Sequence, residues 1–335
     1  MQNPARRDEE GPETIHVLVE GLIDYAGLFP PAKLSMAAAV GNYARYVASP
    51  DGWMLGRFIL PATRIGEFAA AARDFLPISR FPDEPRGGDP WPISAIIDGD
   101  LDDNLDAIFA FNHSHENPEQ GMAVIDAIEL KVPVSGTGNT GAAWIDDTIE
   151  LLPDADAVFP FFEIPVLAAA NAPPPDFRGM IAALAGVDGA AKLRTGGVTA
   201  DAIPASAAVA EFILACDAAE VPFKATAGLH HACRAQYPLT YEADAPKGLM
   251  HGFLNVFLAA ALIHARRGNV EGAARLLEES DPSMFKFARD AVMLATLGIG
   301  LERVQVARAR EQFALSYGSC SFEEPVGELK GLGLV

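Results

Sequence analysis

The chain has 335 residues, of which 50% are hydrophobic and 21% are charged, so it can build a large core and is not dominated by disorder. Its formal net charge of −20 argues against a nucleic-acid partner and against an anionic membrane surface, because both would need a basic face on the protein. Its cysteines are odd in number and too few for a disulfide framework; they are Cys216, Cys233 and Cys320.

The N-terminal residues lack the layout of a signal peptide, and no apolar segment reaches the length of a membrane span. We therefore expect a cytoplasmic protein with no membrane partner and no nucleic-acid partner. Homo-oligomerisation stays open at this point. Residues 1–13 are polar, and we expect them to be frayed.

Short apolar runs then alternate with helical patterns along the chain. Strands are predicted at Leu22–Ala26, Leu55–Leu60, Ile93–Ile97, Val124–Val132, Ala157–Ile164, Ala190–Arg194 and Val221–Ala225. Helices are predicted at Ser35–Val47, Thr63–Phe75, Leu101–Phe111, Ala142–Leu152, Asp176–Ala185 and Pro204–Ala219. Continuous apolar strands separated by amphipathic helices are typical of a parallel sheet that is covered by helices.

The pattern changes after Val221–Ala225. Three segments there are predicted to be helices, and they are Leu249–His264, Glu271–Glu279 and Pro282–Leu297. A last strand is predicted at Phe313–Tyr317. The whole chain is thus predicted to be one α/β domain, a TIM-like (β/α)8 barrel with a helical insertion over 248–311 before the last strand. An open doubly wound sheet is the alternative, but no glycine-rich nucleotide-binding motif follows the first strand.

Lysine usage points to a site. The chain has only seven lysines against eighteen arginines, yet Lys131, Lys192 and Lys224 lie in or at the ends of predicted buried strands. Burying an ammonium group costs several kcal/mol unless the group is paired or loses its proton. In a barrel, the C-terminal strand ends are where active sites are built. The alternative is that these lysines reach out to acids on the surface.

Two carboxylates occupy similar places. Glu129 lies two residues before Lys131, and Glu163 interrupts an apolar strand, while Lys192 and Arg194 share one face of theirs. If these faces point inward, two acids and four cations line one mouth. Such a pocket suits an anionic substrate, and like-charge proximity is expected to hold the pKa of Lys192 below its ordinary value of about 10.4. A purely structural network of ion pairs is the alternative.

Loops after the strands supply further candidate substrate-binding residues, which are Gly196, Gly197, His230, Gly318, Ser319 and Ser321. The last three belong to a Gly/Ser turn after the final strand, where barrels commonly bind phosphate through backbone N–H groups. We expect no cofactor and no metal, because the histidines show no metal-binding spacing. Whether His230, His231 or His251 binds a metal stays open. Cys320 is interpreted as a loop residue rather than a nucleophile.

Two segments, Ala191–Gly197 and Phe223–Gly228, resemble the consecutive strand ends of the lysine-dependent, class I deoxyribose-phosphate aldolases. The resemblance implies that Lys192 forms the Schiff base and that Lys224 lowers its pKa, with Glu129 assisting proton transfer. The separation of 32 residues between the two lysines suits one intervening helix. The likeness covers about forty residues, and Arg194, the histidine pair and the insertion have no counterpart in it.

The sequence therefore predicts a lyase of the aldolase type, acting on a small anionic or phosphorylated carbonyl compound by imine formation, with Glu129 or Glu163 as acid and base. Two alternatives stay open. One is a phosphoribosyl-transferring or other anion-transferring enzyme without covalent lysine chemistry. The other is a non-catalytic ligand-binding barrel whose charges are structural.

Overall fold

Eight parallel strands close into a barrel in a computed structural model that describes residues 13–81, 84, 86–133, 140–152, 157–167 and 175–335. Seven of the strands are β1 Ile23–Tyr25, β2 Leu55–Pro61, β3 Trp91–Ile96, β4 Ala123–Lys131, β5 Phe159–Ile164, β6 Ala190–Arg194 and β7 Phe223–Thr226. The eighth is β13, Ala314–Ser319, which pairs with β7 on one side and β1 on the other. The order around the barrel is β1-β13-β7-β6-β5-β4-β3-β2.

Helices connect the strands. They are α2 Met36–Val47, α3 Ile65–Ala72, α4 Leu101–His115, α5 Thr140–Ile149, α6 Phe177–Ala183 and α7 Ser206–Ala218, while α1 Thr14–Val19 precedes the barrel and α11 Glu323–Gly331 follows it. The main hydrophobic core fills the space between the outer face of the sheet and these helices. Polar residues fix helix starts, as where the Asp100 side chain accepts the backbone N–H groups of Asp102 and Asp103.

The predicted barrel is confirmed, and each predicted strand overlaps an observed one. The reason is that each strand carries a run of apolar residues packed against the helices. The prediction that residues 1–13 are frayed concerns a segment of which all but Glu13 lies outside the described residues.

The insertion between β7 and β13 is mixed rather than helical. It contains α8 Phe253–His264, α9 Val270–Leu277 and α10 Arg303–Gln312, preceded by a hairpin of β8 Ala235–Pro238 and β9 Lys247–Met250. An antiparallel sheet of β10 Phe285–Phe287, β11 Ala291–Leu294 and β12 Ile299–Glu302 occupies the middle.

The helix predicted at Pro282–Leu297 is therefore wrong. In β11, Val292 and Leu294 are buried, whereas Met293 between them is exposed. This alternation with a period of two is the pattern of a strand. The alanines around it favour a helix locally, but pairing with β10 and β12 overrides that preference.

The barrel interior has an apolar lower layer and a charged upper layer. Ala127, Phe161 and Ala190 form a small cluster of their own, separate from the main core. Two residues further along β4 and β6, on the same faces, come Glu129 and Lys192. The pleat thus carries the charged side chains toward the C-terminal ends of the strands, where barrel enzymes have their active sites.

Candidate active site

A cavity of about 550 Å³ opens at the C-terminal end of the barrel. It lies within the range of about 300–1,000 Å³ that small-molecule sites occupy. Eight of the predicted site residues line it, and they are Glu129, Lys131, Glu163, Lys192, Arg194, Gly197, His230 and Gly318. The expected convergence of charged residues is thus observed for β4, β5 and β6, but the expectation that Lys224 of β7 also lines the mouth is wrong.

Lys192 lies at the centre of the charged group. Its Nζ donates to Glu129 Oε2 and to Glu163 Oε2, both at 2.7 Å. The lysine is only 5% exposed, yet it lines the cavity. Because β5 and β6 pair in register with Glu163 opposite Lys192, the sheet itself holds the amine against that carboxylate.

Lys224 lies one strand further along, opposite Lys192 in the β6–β7 register, but below the cavity. It is completely buried, and its Nζ donates to Asp24 Oδ2 and Glu129 Oε1 at 2.7 Å each. The ring of Phe161 lies under the ammonium, 4.9 Å from it. Lys224 is therefore placed to neutralise two carboxylates rather than to touch a ligand in the cavity.

Two serines complete this buried network. Ser94 Oγ donates to Glu129 Oε1 at 2.9 Å, and Ser316 Oγ donates to Asp24 Oδ2 at 2.7 Å. The backbone N–H of Arg57 donates to Asp24 Oδ1 at 2.8 Å. Hydrogen bonds to a buried charge fix its position. The carboxylates below Lys192 are consequently held in place before any ligand binds.

The electrostatics of Lys192 differ from the sequence-based expectation. Burial by itself lowers the pKa of Lys192, but the adjacent Glu129 and Glu163 carboxylates outweigh burial and raise this pKa above its ordinary value. Burial would raise the pKa of both carboxyls, but Lys192 holds each of them below its usual range, aided by Lys224 at Glu129. The expected lowering by neighbouring cations is wrong because carboxylates, not cations, contact the amine.

Two cations at the rim complete the charged side of the cavity. Arg194 Nη1 lies 3.6 Å from Glu163 Oε1, and the Arg194 side chain is 53% exposed. Lys131, at the end of β4, is exposed and lines the cavity. It forms no ion pair with any residue in the described ranges. Both cations are exposed enough to contact an anion that enters the mouth.

The rim above β7 and β13 carries neutral hydrogen-bonding groups beside Glu242 and Glu324. His230 Nδ1 lies 3.8 Å from Cys320 Sγ, and Tyr241 Oη lies 3.5 Å from the same sulfur. Burial, with a contribution from His231, lowers the pKa of His230 to about 4. Burial also raises the pKa of the Cys320 thiol. A neutral imidazole beside a protonated thiol does not form the ion pair of a cysteine nucleophile, in agreement with the interpretation of Cys320 as a loop residue.

Three predicted binding residues do not line the cavity, and they are Gly196, Ser319 and Ser321. Ser319 belongs to β13 directly after the inward-facing Gly318, so the pleat turns its side chain away. Its Oγ donates to the carbonyl of Ser321 at 2.6 Å and accepts the Ser321 N–H at 3.3 Å. That amide is therefore already paired. Gly196 packs against Gly228, and a Cβ there would lie 3.1 Å from the Gly228 Cα.

The histidines have partners other than a metal. His231 Nδ1 lies 2.6 Å from Glu328 Oε1, and His251 Nε2 lies 2.8 Å from the carbonyl oxygen of Pro204. Within the described part of the chain, no three His, Cys, Asp or Glu side chains are grouped as a metal site would require. Over the same residues, none of the helices has the length and apolar character needed to cross a bilayer.

Sequence reasoning missed three contributors. Ser94 and Ser316 are small polar residues in apolar strands, and that contrast is the signal that could have found them. Tyr241 donates to Glu324 Oε2 at 3.0 Å, but the hairpin loop that carries it gives no such signal.

The chain matches no protein-family model, and no curated protein is significantly similar to it. The fold and the site define the chain as a (β/α)8 barrel with a lysine–carboxylate cluster at its C-terminal mouth.

Proposed function

We propose that this protein is an enzyme that acts on a small anionic carbonyl compound through a Schiff base at Lys192, as an aldolase-like lyase does. The observation that carries the proposal is the position of the Lys192 amine, which lines the cavity with carboxylates 2.7 Å away on two sides. The resemblance of the β6 and β7 ends to lysine-dependent aldolases supports the same role.

The chemistry balances. The Lys192 ammonium first loses a proton to solvent water, and the free amine attacks the carbonyl carbon. The carbonyl oxygen takes up one proton from solvent and one from nitrogen and leaves as water, so that a protonated imine replaces the ammonium. The positive charge on nitrogen is retained, and Glu129 and Glu163 therefore keep their ion-pair partner.

Bond cleavage then uses the imine as an electron sink. When the carbon–carbon bond beyond the imine breaks, its electron pair moves to the nitrogen and an enamine forms. A base must take the proton of the departing hydroxyl group. Glu163 is 14% exposed at the cavity, whereas Glu129 is almost completely buried, so Glu163 is the better placed of the two.

The raised pKa of Lys192 favours a second candidate function. An amine that stays protonated could, with Arg194, bind and stabilise an anion without covalent chemistry, as in a phosphoribosyl-transferring or other anion-transferring enzyme. Reductive trapping separates the two candidates. Borohydride added with a 2-oxo acid or an aldose phosphate should leave a stable adduct, seen by intact-mass measurement, only in the Schiff-base enzyme. The absence of an adduct under saturating ligand would favour the non-covalent alternative.

A further inference from the structure

The mouth of the barrel is divided into three chemically different arcs. Charged side chains come from neighbouring strands: Lys131 from β4, Glu163 from β5, and Lys192 and Arg194 from β6. In the barrel order β1 lies four strands from β5, which places it directly across the mouth. The ends of β1 and β5 therefore face each other across the mouth.

The arc built on β1, β2 and β3 is apolar. Phe29, Pro30 and Pro31 follow β1 and line the cavity, together with Ile59 of β2 and Ile96 of β3. An apolar wall favours binding only when an apolar group of the ligand packs against it and both surfaces leave water. A fully hydroxylated or phosphorylated substrate leaves this wall without a matching group.

The remaining arc of the mouth, above β7 and β13, disfavours a second anion. Glu242 and Glu324 line the cavity there. The Ser321 N–H that a phosphate would need is taken by Ser319 Oγ. The anionic end of a ligand is thus directed to the side of Arg194 and Lys131.

We infer that the substrate is a 4-hydroxy-2-oxo acid, or a similarly anionic β-hydroxycarbonyl compound, whose tail beyond the hydroxyl-bearing carbon is apolar, unbranched or aromatic, and carries no phosphate. Its carboxylate lies at Arg194 and Lys131, its carbonyl carbon at Lys192, and its tail against Phe29 and Ile59. This inference deepens the proposed function, on which the covalent role of Lys192 rests, but the shape and polarity of the cavity support it separately.

A chain-length series tests the inference. Calorimetric affinities of the straight-chain 2-oxo acids from pyruvate to 2-oxoheptanoate, with glyceraldehyde 3-phosphate for comparison, should rise about fourfold for each added methylene group. In Phe29→Ser, the loss of affinity should grow with tail length. In the matched control Phe75→Ser, at a partly exposed phenylalanine outside the cavity, the affinities should equal those of the wild type.

Affinities that do not rise with tail length, no binding by any of these acids, or tighter binding of the aldose phosphate would each overturn the inference. Borohydride adducts, measured by mass in the same samples, report on the proposed function separately. Rising affinities without adducts would support the substrate class and contradict the Schiff base. Adducts without a chain-length effect would do the reverse.

Discussion

Lys192 and Lys224 stand directly opposite each other on β6 and β7 and share one carboxylate, Glu129, which accepts one lysine at each of its two oxygens at 2.7 Å. Only Lys192 reaches the cavity. The two lysines therefore have different positions in one network. Lys224 neutralises the carboxylates below the cavity, whereas Lys192 pairs with the same Glu129 and also faces the cavity.

Replacing Lys192 with Met should destabilise the protein, because it removes the partner of two buried or half-buried carboxylates. We expect the free energy of unfolding to fall by about 3–5 kcal/mol, as for other broken buried ion pairs. Lys131→Met, at an exposed lysine of the same mouth, should change it by less than about 0.5 kcal/mol. Urea denaturation of both variants measures the difference, and equal stabilities would contradict the ion-pair geometry.

Removing the stranded charge should restore part of that loss. The double variant Lys192→Met/Glu163→Gln should be more stable than Lys192→Met alone. The second substitution replaces the Glu163 carboxylate, which has lost Lys192 as its partner, with a neutral amide. Both forms lack the reactive amine. Stability and trapping are consequently separate readouts, and a low melting temperature of Lys192→Met does not by itself argue against catalysis.

Ser94 should contribute to the stability of the buried network. Ser94→Ala removes a hydrogen bond to the ionised Glu129 and should cost about 1.5–3 kcal/mol of unfolding free energy. Ser280→Ala, at an exposed serine of the insertion, serves as the control and should be close to neutral. If Ser94→Ala unfolds at the same urea concentration as its control, the hydrogen bond is energetically irrelevant.

His230 should make stability depend on pH on the acid side of neutrality. Its pKa is lowered to about 4 in the folded protein, against about 6.5 in an unfolded chain, so the unfolded state binds more protons between these values. Stability should therefore fall as the pH drops from 6.5 toward 4. His230→Gln should show a shallower slope in melting temperature over this range, and an unchanged slope would contradict the burial of a neutral imidazole.

The rate of imine formation should rise with pH. Because the carboxylates raise the pKa of Lys192, the fraction of free amine increases about tenfold per pH unit throughout the range below that pKa. The logarithm of the second-order rate constant of adduct formation should have a slope near one between pH 6 and pH 9. A plateau that begins near pH 7 would mean that the amine is deprotonated at neutrality.

The sequence predicts the barrel well and the site in part, for a physical reason. Apolar strands such as Ala190–Arg194 carry their own signal, and polar residues at their ends stand out against it. Which charges pair is decided across the barrel, as for Asp24 and Lys224, which lie 200 residues apart in the chain. No local pattern encodes that contact. The sign of the Lys192 pKa shift depended on it and was therefore predicted wrongly.

The central claim is that Lys192 carries the covalent chemistry, and the most direct measurement is the position of the reduced adduct. Trypsin cleaves after Arg178 and Lys192, so the unmodified protein yields a peptide of residues 179–192. An alkylated Lys192 blocks cleavage, and the adduct should appear on a peptide of residues 179–194. That result is the one we predict. An adduct on the exposed Lys131, with the 179–192 peptide released unmodified, would contradict the account.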